Sequence, residues 1–527
     1  MNGLVAQLEM EFLASYSLSQ DQMSTPFLLA ALLVAVLALI VVPVLILRTI
    51  TRMKNRSKDL PPIITSNVPI PIVGPAIEFG KSPMKMVHRC YEAYGPVFTV
   101  PIFHKRLTFL VGPQAQEPFF TFGDDILSQQ EVYGFMKPVF GPGVVYDASR
   151  TRRQVQFQKM AHGLRASRLK GYIGKIERET RAFLREYWND TSDAGTVVDL
   201  FQTLSELTIL TASRCLHGDD VRENLFREVS ALYYDLDHGV TPLSVFWSNA
   251  PTRAHAKRDA ARKAMVQLFT GVIEARRKAA SSSLPQQSGD GTDILTIFMD
   301  MKYKDGTAPT TDEITGLLIA LLFAGQHTSA ITSTWTALFI ASHPHIMKRV
   351  VEEQQTLLGD STAPVDFDKV NEMELLHNCM REALRLCPPL TLLMRYAKQE
   401  FNVTVDTDNK GAKTTFTVPQ GDMVLVSPSV GMRIPEAFPN PDEFDPDRFA
   451  EPREEHKIPY AYLGFGGGMH SCMGQNFAFV QVKTILSILF REYEIELVSS
   501  TFPEQDFEAM VVGPKGDCRV RYKKKKN

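Results

Sequence analysis

The chain has 527 residues, 44% hydrophobic and 22% charged, a composition that excludes a disordered protein and suits a globular one with a large core. A net charge of −2 gives no overall pull toward nucleic acid, and six scattered cysteines exclude a disulfide framework and fit a reducing compartment. From Phe27 to Leu47 the chain is apolar throughout, interrupted only by Pro43, and about 21 residues at ~1.5 Å rise span a ~30 Å hydrocarbon core. A cleaved signal peptide fits poorly, because Glu9, Glu11 and Asp21 are the only charges upstream. Residues 27–47 are therefore expected to anchor the chain in a membrane. Arg48, Arg52, Lys54, Arg56 and Lys58 follow at once, which places residues 1–26 in the lumen and everything after the anchor in the cytosol. Leu60-Pro61-Pro62, Pro69, Pro71 and Pro75 make 48–75 a basic, proline-stiffened linker to a domain covering 76–527.

Within that domain, Met84 to Tyr94 reads as an amphipathic helix, and alternation around Phe98 to Phe103 and Leu107 to Gly112 predicts two strands. Between Gln130 and Asp147 lies an aromatic, glycine-rich stretch without helical or strand period; taken alone, its rings fit a core. Arg150 to Arg181 is densely basic, including Arg152, Arg153, Arg165, Arg168, Lys170 and Lys175, and predicts a solvated helical face. Leu207 to Cys215 and Phe226 to Asp237 are helical, and Ser281 to Gly291 is a loop of Ser, Gln, Pro and Gly. Thr310 and Glu313 form a capping-box signal for a long helix that Pro344 stops. Gly325, in its middle, costs about 1 kcal/mol against Ala in a helix interior and wants a reason.

Glu382 and Arg385 share a helix face at i and i+3, which for an exposed pair contributes only a few tenths of a kcal/mol. Prolines after Cys387 end that helix, strands follow at Phe401 to Val405 and Phe416 to Val426, and Asp408 to Gly411 turns between them. The most informative stretch is Phe465-Gly-Gly-Gly-Met-His-Ser-Cys-Met-Gly474. A lone Cys is ordinarily a small buried hydrophobe. Here three glycines let the backbone approach a flat ligand, and a helix predicted from Gln475 to Leu489 brings its N–H groups near the sulfur. Zinc needs three or four clustered ligands, and neither a second Cys nor a suitably spaced His pair lies nearby. An iron already held by a porphyrin needs one.

Phe465, Gly468, Cys472 and Gly474 match the haem-binding loop of the cytochrome P450 superfamily, and the chain from about Gly74 onward resembles it. His470, together with Ala324-Gly-Gln-His-Thr-Ser329 and the stretch from Tyr133 to Tyr146, is similar to the sterol 14α-demethylases, most closely the plant and algal form that prefers obtusifoliol. Met469 and Ser471 depart from that pattern, standing where Arg is frequent. The resemblance implies a mainly α fold with small β-sheets. It makes Cys472 the thiolate ligand of haem b iron, in a loop that includes Phe465, Gly468 and His470. Tyr133, Tyr146, Arg153 and Arg395 are implied at the haem edge and propionates, and Phe135, Phe140, Leu390, Leu392, Met394 and Met510 around the substrate. Ala324 and Gly325 make room over the haem, while His327 and Thr328 belong to a proton relay. Glu382, Arg385 and Arg448 form a buried ion network behind the cysteine loop.

These features together imply a monooxygenase that removes the 14α-methyl of a sterol in three steps with release of formate, in sterol biosynthesis. No flavin or nicotinamide fingerprint occurs, so NADPH electrons are expected through a separate flavoprotein reductase, which the resemblance implies docks near the basic region after Arg150. The aromatic at Phe135 predicts an obtusifoliol-type preference, since it fills space that a second C4 methyl needs. A single-pass protein of the endoplasmic reticulum membrane is expected. Lys524-Lys525-Lys526 is either a solvated basic tail or a dilysine retrieval signal. Two alternatives remain open: a sterol side-chain desaturase, against which residues 324–329 argue, and a sterol-binding membrane protein without catalysis, hinted at by Met469 and Ser471.

Overall fold

The computed structural model describes residue 42 and residues 59–525, except 69–72, 104, 190–193, 242–243, 246, 282–292, 360–361 and 407–412. The expected anchor, the basic run after it, most of the 281–291 loop, the 408–411 turn and the last two residues thus lie outside the described residues, apart from Val42.

A helix from Thr311 to Ser342 runs through the middle of the domain, packed against helices Leu200–Leu216, Glu374–Leu386 and Gln475–Glu492. Its start is the predicted capping box: Thr310 Oγ1 accepts from Glu313 N at 3.1 Å, and Glu313 Oε2 accepts from Thr310 N at 2.8 Å. It is also the one helix among the described residues that is long and apolar enough to cross a membrane, yet most of it is buried inside the protein. The main core cluster joins it to the C-terminal helix, where every residue from Phe479 to Arg491 is buried. That helix runs to Glu492, nearly a turn beyond the predicted end, because its last turn still faces the core.

Among the described residues, twelve short strands sit beside this helical core. Strands β1 (Val97–Ile102), β2 (Lys105–Leu110) and β3 (Leu127–Ser128) belong to a five-stranded sheet, and β4 (Thr196–Asp199) to a three-stranded one. Then follow β5 (Leu393–Ala397), the hairpin of β6 (Phe401–Asp406) and β7 (Lys413–Val418), and β8 (Met423–Val426). The last four are β9 (Tyr493–Leu497), β10 (Glu504–Gln505), β11 (Pro514–Lys515) and β12 (Arg519–Lys524). The five-stranded order is β1-β2-β8-β5-β3, with β2 and β8 parallel and the remaining pairs antiparallel.

Three expectations change. The strand predicted over Phe416 to Val426 is two strands in different sheets: Pro419 has no N–H to donate and Gly421 turns at φ +90°, so pairing to β6 stops and β8 leaves for β2 and β5. The proline-rich segment is docked where it is described. Thr99 N donates to Pro62 O at 2.8 Å and Ile64 N to Thr99 O at 3.0 Å, with Pro61 and Ile64 buried. The basic run after Arg150 folds as helices Arg150–Gly163 and Ala166–Tyr187, but part of it is not solvated. Arg152 NH1 pairs with Glu313 Oε1 at 2.9 Å, and Lys175 is buried with its Nζ 3.2 Å from Asp219 Oδ2. Arg165 and Lys170 are exposed, as expected of a solvated face.

Candidate functional site

Of the six cysteines five are buried, and Cys472 alone is exposed. Its loop is fixed from both sides. Cys472 N donates to Phe465 O at 2.9 Å, and the Phe465 ring packs 5.0 Å from Phe479 on the C-terminal helix. Gly468 has φ +62°, and a Cβ there would lie 1.9 Å from the Phe120 carbonyl oxygen, so only glycine lets the loop press against the helix Pro113–Thr121. Burial raises the Cys472 thiol above the ordinary value, while the backbone N–H groups of Gly474 and Gln475 act in the opposite sense. Those two donors, at the start of the helix Gln475–Glu492, are the sequence expectation met in geometry.

Behind the loop stands the predicted ion network. Glu382 receives Arg385 Nε at 2.7 Å and Nη2 at 2.8 Å, together with Arg448 Nε at 2.8 Å, and all three side chains are essentially inaccessible. Arg385 also donates to the carbonyls of Met432, Pro441 and Glu443, and Arg448 to that of Pro439 and to Glu455. Two charges are thereby converted into ties on the meander that leads to the cysteine loop.

On the same side, Arg395 is buried on β5 with its guanidinium 4.7 Å above the Phe119 ring. Its Nη1 donates to Met394 O at 2.8 Å, its Nε has no partner among the described residues, and burial lowers its pKa. With its side-chain amide rotated, Gln129 accepts from Nη1 and Nη2 of this guanidinium. Tyr133 and Tyr146 stack with centroids 5.0 Å apart, Tyr133 OH accepts from Met394 N at 3.4 Å, and burial raises both phenols. Arg153 binds Asp124, and Asp124 Oδ1 lies 3.2 Å from His470 Nε2, so one carboxylate joins Arg153, expected at a propionate, to His470 of the cysteine loop. His470 is pushed toward its neutral form by burial and then by Arg395.

The wall above is aromatic. Phe135 is buried with its ring 6.2 Å from Tyr133, and Phe140 meets Tyr146 at 6.4 Å and Phe323 edge-on at 5.9 Å. Leu390 and Met510 are exposed, and Val512 N donates to Pro389 O at 2.8 Å, which brings the two segments together. Leu392 and Met394 are half-buried and pack partly against the Met84, Phe98 and Phe109 cluster, a contact that spacing could not reveal.

The central helix is buried from Glu313 to Leu322 apart from Leu321, and again from Ser329 to Leu338, whereas Phe323 to Thr328 are more open. A Cβ on Gly325 would meet nothing within 4 Å, so this glycine leaves space rather than admitting a neighbour. Thr328 Oγ1 donates to Ala324 O at 2.6 Å. His327 Nε2 lies 3.2 Å from Asp237 Oδ1 on the helix Phe226–His238, a pair whose alignment is not that of a hydrogen bond. Asp237, Asp124, Gln129 and Tyr233, whose ring is 5.0 Å from Phe323, complete the site and were not singled out from sequence. None stands in a motif, so only the folded neighbourhood identifies them.

The donor set fits a planar group carrying carboxylates and one open axial position. It offers an accessible sulfur in a glycine turn, a buried cation with a partnerless Nε, two stacked phenols and an open stretch of helix. Among the described residues no group of three His, Cys, Asp or Glu side chains could hold a metal ion without such a group.

Comparison with known proteins agrees with this geometry. The family model described as Cytochrome P450 matches residues 65–518. Obtusifoliol 14-alpha demethylase of Sorghum bicolor is 43% identical over 498 residues, 94% of this chain and 97% of that protein. Sterol 14-demethylase of Arabidopsis thaliana is 43% identical over 473 residues, 89% of this chain and 93% of that one. Lanosterol 14-alpha demethylase of Homo sapiens is 36% identical over 467 residues, 88% and 87% of the two. A solved structure, "Retinoic acid bound cyanobacterial CYP120A1", superposes with a TM-score of 0.73 at 20% identity, covering 89% of this chain and all of that one, which speaks for the fold. This chain therefore belongs to the cytochrome P450 family and, within it, to the sterol 14α-demethylases in their plant form.

Proposed function

We propose that this chain removes the 14α-methyl group of a sterol precursor with one C4 methyl, as obtusifoliol has, by three successive oxygenations through alcohol and aldehyde to formate. The observation that carries it is the 43% identity to a protein named for obtusifoliol demethylation, over nearly the whole of both chains, together with a site of matching chemistry. Cys472 would supply the sulfur ligand of haem b; Arg395, Tyr133, Tyr146, Arg153 and His470 would hold its propionates and rim, and Phe465 and Gly468 shape the loop. When bound, haem would supply the activation of dioxygen, which a thiolate ligand favours.

The protein's own groups do the rest. Phe135, Phe140, Leu390, Leu392, Met394 and Met510 enclose the sterol and exclude water, so the methyl is held close and in one orientation. Ala324 and Gly325 keep the helix clear of it. His327 Nε2, beside the Asp237 carboxylate, is placed to take protons from the outer face and pass them toward Thr328 Oγ1. Each oxygenation consumes one dioxygen, two electrons and two protons; the electrons come from NADPH through a separate flavoprotein reductase. We place the chain in the endoplasmic reticulum membrane, anchored by residues 27–47 with the domain in the cytosol.

A competition assay tests the sterol preference. In membranes reconstituted with an NADPH-dependent flavoprotein reductase, obtusifoliol is expected to be demethylated in preference to lanosterol. Phe135→Leu should narrow that preference by roughly ten-fold, the scale on which a pocket discriminates a methyl. Equal rates for the two sterols with the native chain would remove the obtusifoliol assignment.

A further inference from the structure

The aromatic wall is held by a side chain outside the motifs. Gln156, on the helix Arg150–Gly163, is fully buried. Its Oε1 accepts from Val145 N at 2.9 Å, and its Nε2 donates to Gly143 O at 2.8 Å, so one amide reads both polar groups of the backbone just before Tyr146. Val145 has φ +48°. For a β-branched residue that is a strained conformation, which persists only when the surroundings impose it. Gly143, at φ +72°, and Gly141, at φ +95°, supply the neighbouring left-handed turns without strain.

Gln156 is itself held. Its Nε2 lies 3.2 Å from Tyr303 OH, and Tyr303 OH donates to Glu313 Oε1 at 3.2 Å, the carboxylate that caps the central helix. The Arg152 guanidinium lies 4.2 Å over the Tyr303 ring and pairs with the same Glu313. On the opposite side Arg262 donates to the carbonyls of Phe140 and Asp312, tying the far end of the wall to the same helix start.

We infer that Gln156 is a positioning residue for sterol binding: its amide imposes the left-handed turn at Val145 and thereby sets where Tyr146 and Phe140 stand. It touches neither sterol nor haem. The inference rests on the sterol-demethylase reading of the site and assigns the aromatic wall a support that reaches to the N-terminus of the central helix.

The test uses the full haem-loaded chain in Gln156→Met, Val145→Gly and doubly substituted forms. Obtusifoliol affinity is read from its Soret shift, and KM and kcat from turnover with the reductase. Gln156→Met is expected to weaken binding and raise KM by about ten-fold, the worth of about one buried hydrogen bond, with a smaller change in kcat. Val145→Gly should not improve the native chain. Added to Gln156→Met it should recover most of the lost affinity, because glycine takes positive φ without help. A merely structural role predicts additive losses in the double form.

Native affinity in Gln156→Met, or no recovery in the double form, overturns the inference. Should Gln156→Met not retain haem, Tyr303→Phe decides in its place: several-fold weaker binding supports the inference and native binding overturns it. If the native chain itself gives no sterol-induced shift, the underlying sterol assignment fails instead.

Discussion

Replacing Cys472 by Ala is expected to abolish the thiolate-type Soret band of the reduced carbon monoxide complex and to bring sterol turnover to background, while the chain stays folded. The side chain is exposed, and the loop is held by backbone contacts that Ala keeps: Cys472 N to Phe465 O, and the Gly468 contact with Phe120. Loss of function without loss of fold is therefore the expected pattern, read by far-ultraviolet circular dichroism beside the spectrum. The two departures in this loop do not threaten it. Met469 and Ser471 are both exposed, and neither side chain has a hydrogen-bond partner among the described residues, whereas the neighbouring His470 reaches Asp124.

The second large effect is expected at Glu382. Its carboxylate is the common partner of two buried guanidinium groups and also accepts from Asp445 N at 3.0 Å. Glu382→Gln keeps shape but removes the negative charge, leaving two buried cations facing a neutral amide. Breaking a buried ionic network by removing one partner costs about 3–5 kcal/mol, a large part of the roughly 5–15 kcal/mol that keeps a protein folded. The variant should show a clearly lower urea midpoint and little haem-loaded protein, and Arg448→Ala should fail in the same way. An unchanged midpoint with full haem content would mean that the network is not what holds the cysteine loop.

The parts legible in the sequence were those where local chemistry dictates conformation. The capping box at Thr310 and Glu313, the proline stop after Ser342 and the helix following Gly474 each depend on a few neighbouring residues, and each was found where expected. The glycine loop and the Glu-x-x-Arg pair were legible as patterns, although an isolated i, i+3 pair says nothing about burial. What the sequence concealed depends on distant partners. Pro419 and Gly421 interrupt Phe416 to Val426 locally, but that its two halves join different sheets depends on strands distant in the chain. Arg152 and Lys175 resemble any solvated cation until Glu313 and Asp219 arrive from elsewhere in the chain. Asp124, Asp237 and Gln156 lie in no motif, and each gains its role from a side chain or backbone brought to it by the fold.

Carbon labelling follows the methyl group itself. Obtusifoliol carrying an isotope in its 14α-methyl group is supplied to the native chain in membranes with NADPH and the flavoprotein reductase. Label is expected to leave as formate, matched mole for mole by 14-desmethyl sterol; a sterol that binds but keeps its labelled methyl, or is oxidised at another carbon, would rule out 14α-demethylation by this chain.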